Sequence, residues 1–243
     1  MALHPPRTFL LLSLLLSLPV ACSGQVGDEL GENELRFDFE ASTKDWTASF
    51  TDVSTAQEND VGFVFDQRQL PTGAGYPGSG LYLSGNNVSD DLFMFVSHPV
   101  SVAQPTAPYA LTFELELASN APSGCAGIGG APGESVFLKA GAASIPPDRE
   151  TTPTGTWRLN VDKGEQSNGG ANAQVVGNIA NGSTDCATPV YRRIFRHNLG
   201  QPLRVTSNDQ GLLWVFIGTD SGFEGNTSLY LDTIRVLLDP LPQ

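Results

Sequence analysis

Residues 211–238 read GLLWVFIGTDSGFEGNTSLYLDTIRVLL: two apolar, β-favouring runs on either side of a polar loop of Gly, Asp, Ser, Glu and Asn. That is the pattern of two strands joined by a surface loop. The same two-residue period recurs along the chain. In residues 109–117 (YALTFELEL), Leu111, Phe113, Leu115 and Leu117 line one face, and Thr112, Glu114 and Glu116 turn to water. Near the start, Leu35, Phe37 and Phe39 alternate with Arg36, Asp38 and Glu40. Further strands are expected at 46–53, 61–65, 81–83, 92–96, 136–140, 157–161, 191–197 and 202–206. Loops rich in Gly, Pro or polar residues are expected at 70–80, 118–135, 144–155 and 162–173. No stretch sustains a 3.6-residue apolar period, and no internal repeat is visible. Many short strands with polar turns predict an all-β, antiparallel β-sandwich of jelly-roll type, with the first and last strands paired. Leu229 and Leu231 share one parity, whereas Ile234, Val236 and Leu238 share the other. A bulge near Asp232 and Thr233 reconciles them and sets Asp232 at a kink on the sheet rim.

The formal net charge of −13 repels nucleic acid and anionic lipid head groups. It is compatible with neutral sugars, with structural calcium, or with a plain solvated surface. Residues 1–21 read as a signal peptide: Arg7 precedes an apolar run over 9–18 that is too short to span a bilayer. Ala21 before Cys22 is similar to a bacterial lipobox, although Pro19 stands where Leu is expected and Leu18 sits one place early. Two outcomes stay open: diacylation of Cys22, anchoring the protein to the cell envelope, or ordinary cleaved secretion. Residues 22–34 form a flexible acidic tether, and 35–239 a single sandwich domain. If Cys22 takes lipid, Cys125 and Cys186 remain as a disulfide pair. Their bridge would close a loop of about 60 residues, worth roughly 4 kcal/mol in the chain-entropy account.

The segments Phe37, Asp38, Phe39 and Glu40 followed by Trp46, and residues 229–236 (LYLDTIRV), resemble the opening and closing strands of carbohydrate-binding modules with a galactose-binding-like jelly roll. The resemblance implies a structural calcium held by acids of those end strands: Asp38, Glu40 and Asp232. The middle of the chain, through GSGLYLSGNNVSDDLFMF, PSGCAGIGGAPGESVFLKAG, RLNVDKGEQSNGG and IGTDSGFEG, resembles a group of exported bacterial proteins that carry no known activity.

No catalytic residue is nominated. Neither G-x-S-x-G nor H-E-x-x-H occurs, and His98 and His197 stand apart from such motifs. Glu114 and Glu116 are outward neighbours on one strand, roughly 7 Å apart, rather than carboxylates facing each other across a cleft. The glycine run at 124–133 lacks G-x-G-x-x-G spacing and a following helix. Oxygen ligands for calcium are also offered by two loops, with Asp90 and Asp91 in one and Asp220 and Glu224 in the other. Residues 92–96 and 212–217 are apolar on both parities, so their outer side must be covered or exposed. If it is exposed, Trp214 with Tyr76, Tyr82 or Trp157 forms an aromatic platform for a ligand. The leading expectation is a non-catalytic exported surface lipoprotein or binding module, for a glycan or another envelope component. The alternatives are a polysaccharide-acting hydrolase or lyase on the same scaffold, and a purely structural envelope protein. An enzyme would show converging carboxylates, or a His with a carboxylate, in a cleft. A glycan module would show exposed aromatics.

Overall fold

The computed structural model describes Met1, residues 33–75 and residues 77–242. The remainder of the signal segment, Cys22, the tether up to residue 32, and Tyr76 lie outside the described residues.

Two antiparallel sheets pack face to face. The seven-stranded sheet has the order β11 (Arg192–His197), β6 (Pro108–Ser119), β14 (Asn226–Pro240), β4 (Ser79–Asn86), β3 (Val64–Gln69), with β1 (Glu34–Asp38) also on β14 and β12 (Leu203–Thr206) also on β6. The five-stranded sheet runs β10 (Ala173–Asn178), β7 (Val136–Ala143), β13 (Leu212–Ser221), β5 (Leu92–Ser101), β2 (Thr47–Thr51). A short hairpin, β8 (Arg149–Thr151) and β9 (Trp157–Leu159), stands apart from both. The first strand pairs with the last, Phe37 opposite Ile234, which closes the jelly roll.

The alternation becomes the core directly. Leu111, Phe113, Leu115 and Leu117 of β6, with Ile234 and Val236 of β14, face Met94, Val96, Leu213, Val215, Ile217 and Leu138 of the other sheet, all buried. Each such side chain contributes about 1.5–3 kcal/mol by leaving water.

The register on β6 shifts between Leu231 and Thr233, which is the bulge that the parity change requires. Asp232 is buried in the middle of the longest strand, between β6 and β4, not at the rim. The strand expected at 61–65 starts later, at Val64. Residues Thr55–Val61 instead form a 3-10 helix. The Ser54 side chain accepts a hydrogen bond from the Ala56 amide at its start, and Gly62 ends it with φ 55°. The two runs of residues 211–238 lie in different sheets, so the loop between β13 and β14 crosses from one layer to the other. Cys125 and Cys186 are joined by a disulfide, Cα–Cα 5.8 Å, pinning the glycine-rich loop before β7 to the loop before β11.

Candidate functional site

The outer side of the five-stranded sheet is built by the second parity of β5 and β13. β5 sends Phe93, Phe95, Ser97 and Pro99 outward, opposite Asp220, Gly218, Phe216 and Trp214 of β13. Phe93 and Phe95 stack at 5.5 Å and 13°. Two glycines make room for these rings. A Cβ on Gly141 would stand 2.2 Å from Cζ of Phe216, and one on Gly218 would stand 2.5 Å from the Phe93 ring.

This apolar face is not left bare. Residues 144–172 form an arm that crosses it, and Leu159 and Val161 pack against Phe93, Phe95, Ala173 and Phe216. The arm is stitched to the sheet edge: Asp52 N–H donates to Trp157 O (2.8 Å), and Trp157 N–H to Val53 O (2.9 Å). Asn172 Nδ2 donates to Ala142 O on the far side (3.2 Å). The Trp157 indole N–H donates to Glu58, and the Arg149 guanidinium lies 4.3 Å from the Trp157 ring centre while pairing with Glu58 at 2.8 Å.

Beneath one end of the arm lies a cluster of charges. Lys139 and Asp220 are both fully buried, with Lys139 Nζ 2.8 Å from Asp220 Oδ2. Lys163 Nζ, from the arm, is 2.7 Å from the same oxygen and 3.0 Å from Asp52 Oδ2. Arg158 pairs with Asp52 Oδ1 at 2.8 Å and reaches Asp91 at 3.8 Å. Lys139 also donates to the carbonyls of Lys163 and Asn168, both at 3.0 Å, so it ties the arm's turn to β7. Asp52 (φ 67°) and Asp90 (φ 63°), the neighbour of Asp91, are both left-handed, a conformation Asp tolerates better than most residues.

Burial and the neighbouring charges of Asp52 and Asp220 push the Asp91 carboxyl up to about 7, against a smaller downward pull from Lys163 and Arg158. Burial pulls Lys139 below the ordinary lysine value, only partly offset by Asp220. Burial also pulls on Lys163, but the charges of Asp220 and Asp52 outweigh it and its pKa ends above the ordinary value.

Among the described residues, Asp52, Asp91 and Asp220 are the only set of three potential metal ligands whose ligand atoms lie within 4.8 Å of one another. Three basic side chains from the protein already balance these three carboxylates, and the Lys163 ammonium bridges Asp52 and Asp220 as a cation would. Of the acids nominated from the sequence, Asp91 and Asp220 meet here. Asp90 and Glu224 are exposed, and the latter belongs to the β13–β14 loop. Asp38 pairs with Lys44 at 3.1 Å, and the set Asp38, Glu40 and Asp232 does not converge in this way. Asp52, Lys139 and Lys163 were not nominated. A lone Lys within the apolar strand VFLKAGAA is the signal that could have found the cluster.

Of the four aromatics nominated for a platform, Tyr76 lies outside the described residues, and Tyr82, Trp157 and Trp214 do not share one surface. Tyr82 lies on the seven-stranded sheet, packed on Tyr230 (4.9 Å) and covered by Arg68 (4.1 Å to the ring centre). Trp157 is sandwiched within the arm's base. Trp214 lines a cleft of about 390 Å³ at the other end of the arm, with Thr47, Ser49, Phe95, Ser97, Pro99, Pro146 and Asp148. The Trp214 ring, hydroxyls and one carboxylate therefore meet where the arm leaves the sheet uncovered.

No protein-family profile matches the chain, and no curated protein sequence does. Solved structures similar to it include a carbohydrate-binding module of the β-sandwich superfamily studied for promiscuous specificity, at 14% identity and TM-score 0.40, covering 88% of this chain and 64% of that one. A carbohydrate-binding module that recognises mannan is 13% identical at TM-score 0.41, covering 84% of this chain and 95% of that one. The family 11 module of a cellulosomal cellulase of Clostridium thermocellum is 10% identical at TM-score 0.39, covering 86% and 95%. The class that the strand order and packing define is an antiparallel β-sandwich of jelly-roll type.

Proposed function

We propose that the protein is a non-catalytic glycan-binding module whose ligand seats in the cleft beside Trp214. The observation that carries this reading is the lining of that cleft. The Trp214 indole offers an apolar face for the C–H side of a sugar ring, and Thr47, Ser49, Ser97 and Asp148 offer hydrogen-bonding groups around it. The net charge of −13 favours neutral over acidic glycans. Asp52 and Asp220 are each paired with lysine or arginine, which favours a structural over a hydrolytic role for the cluster. Calcium has no part in this reading, since the protein's own cations neutralise the acidic cluster. The leader and Cys22 support placing the module outside the cytoplasm, on a lipid anchor.

A glycan-array screen of wild type and Trp214→Ala, with and without EDTA, tests the proposal. The expected result is binding to neutral glycans that EDTA does not change and that the variant weakens about tenfold to a hundredfold, the loss of one buried aromatic contact. Absence of binding to any glycan, or equal binding by the variant, contradicts it.

A further inference from the structure

Lys139 and Asp220 sit on adjacent antiparallel strands, on the same face, one diagonal step apart: Lys139 is opposite Gly218, and Asp220 is opposite Phe137. Both side chains are fully buried and in contact. Asp220 Oδ2 receives Lys139, the Lys163 ammonium and the Gln166 amide (3.0 Å), while Oδ1 has no partner. Asp91 also has an Oδ1 without a partner, and its carboxylate lies within 4.8 Å of that of Asp220. An amine thus lies 2.8 Å from one carboxyl oxygen, which takes two further donors, and a second carboxyl group lies within 4.8 Å.

We propose that Lys139 and Asp220 condense to an intramolecular amide bond that fastens β7 to β13. Lys139 passes one ammonium proton to Oδ1 of Asp220 and attacks Cγ as the free amine, forming the Nζ–Cγ bond. Lys163 and the Gln166 N–H hold the negative charge that develops on Oδ2. Asp91 gives Oδ1 its second proton, the Cγ–Oδ1 bond breaks, and Oδ1 leaves as water. The Asp91 carboxylate then takes a proton from Nζ, which leaves the amide N–H and returns Asp91 to its protonated starting state. From the ammonium–carboxylate pair, two protons and one oxygen depart as a single water, with no oxidant or cofactor.

The surroundings favour each part. Fixed contact gives the amine a high effective concentration. Burial makes an ion pair costly, and the amide replaces it with a neutral group. The two lysines have separate roles: Lys139 is held below the ordinary lysine value and supplies the amine, whereas Lys163 is held above it and keeps its charge. Asp91, raised to about 7, supplies an acid near neutral pH. After condensation, the Lys163 ammonium and the Arg158 guanidinium remain paired with Asp52.

Mass spectrometry of the denatured full chain, compared with the mass for its observed N-terminus, tests this. Wild type is expected one water lighter than its formula after the disulfide is accounted for. Its digest should contain one branched peptide joining Lys139 to Asp220, with no trypsin cleavage at Lys139. Lys139→Arg and Asp91→Asn are expected at formula mass, the latter with an unchanged far-UV spectrum. A wild type at formula mass, a missing water traced to another site, or full bond formation in Asp91→Asn would overturn the proposal. The wild-type reading does not depend on any variant folding.

Discussion

Asp220 faces two ammonium groups and one backbone amide through a single oxygen, so its removal leaves Lys139 without the carboxylate it faces, while Lys163 keeps Asp52. Leaving a buried charge without its partner costs on the order of 3–5 kcal/mol. Asp220→Ala should lower the unfolding free energy from urea denaturation by that amount, and a loss under about 1 kcal/mol would show that the cluster is solvated, as exposed pairs are. His98 is a second residue with a defined signature. It stacks on Trp46 (5.4 Å, 20°) and meets the edge of Phe37 (5.0 Å). Burial holds its pKa below 6.5, against an opposing hydrogen bond to the Asp45 backbone. The unfolded chain therefore takes up this proton first as pH falls. Stability is full above pH 6.5 and is lost as pH drops toward the depressed folded value. His98→Phe should remove that component of the decline between pH 7 and pH 5 in thermal melts; an unchanged decline contradicts the assignment. At this scale the sequence is only partly legible. Lys139 stands out as a charge in an apolar strand, but Asp52, Asp91 and Lys163 come from turns whose side chains could equally have faced water.

The elements β5 and β13 show what a two-sided apolar strand demands. Their doubled parity is plain in residues 92–96 and 212–217, and it states that something must cover the outer face. What covers it is hidden in a segment that reads as loop, because the arm holds position through backbone bonds, prolines and asparagines rather than an apolar period. Leu159 and Val161 anchor it to the rings below, and the Lys163 ammonium lies 5.0 Å from the Phe93 ring centre. Gly141 and Gly218 are the complement of those rings. A side chain at Gly141 would collide with Phe216 and with the Asn172 carbonyl at 2.5 Å. Gly141→Val should therefore cost about 1–3 kcal/mol, as overpacking does, and should loosen the arm at residue 172 first. Differential scanning calorimetry gives the cost, and a melt equal to wild type would mean that the ring has free space. The glycine-rich loop depends on its covalent tie instead. Replacing Cys125 and Cys186 with Ser should cost about 4 kcal/mol for a loop of this length, measurable by urea denaturation; a loss near zero would show that the loops hold each other without it.

For the molecule as a whole, the closing of the jelly roll follows from the chain's two ends. Leu35 and Phe37 alternate in step with Ile234 and Val236, and the bulge at Asp232 carries the parity change between the two halves of β14. Strand order beyond that pairing is not written in any local pattern, since it is set by which sheet each loop returns to. The loop from β13 to β14 is the clearest case, because it looks like a hairpin turn and is a crossing between layers. The layer on which the proposed function rests is the third one, the arm, which covers the five-stranded sheet, roofs the buried charges at one end and leaves the Trp214 cleft at the other. Its rigidity is the central claim, because a cleft with a mobile wall would hold no fixed set of ligand groups. Hydrogen–deuterium exchange of the free protein tests it most directly, through the amides of Asn160 and Asn172, which donate to Asp148 O (2.9 Å) and Asp162 O (2.8 Å). Protection of these amides within about tenfold of the β13 amides is the result this structure predicts, and exchange at the rate of an open loop would contradict it.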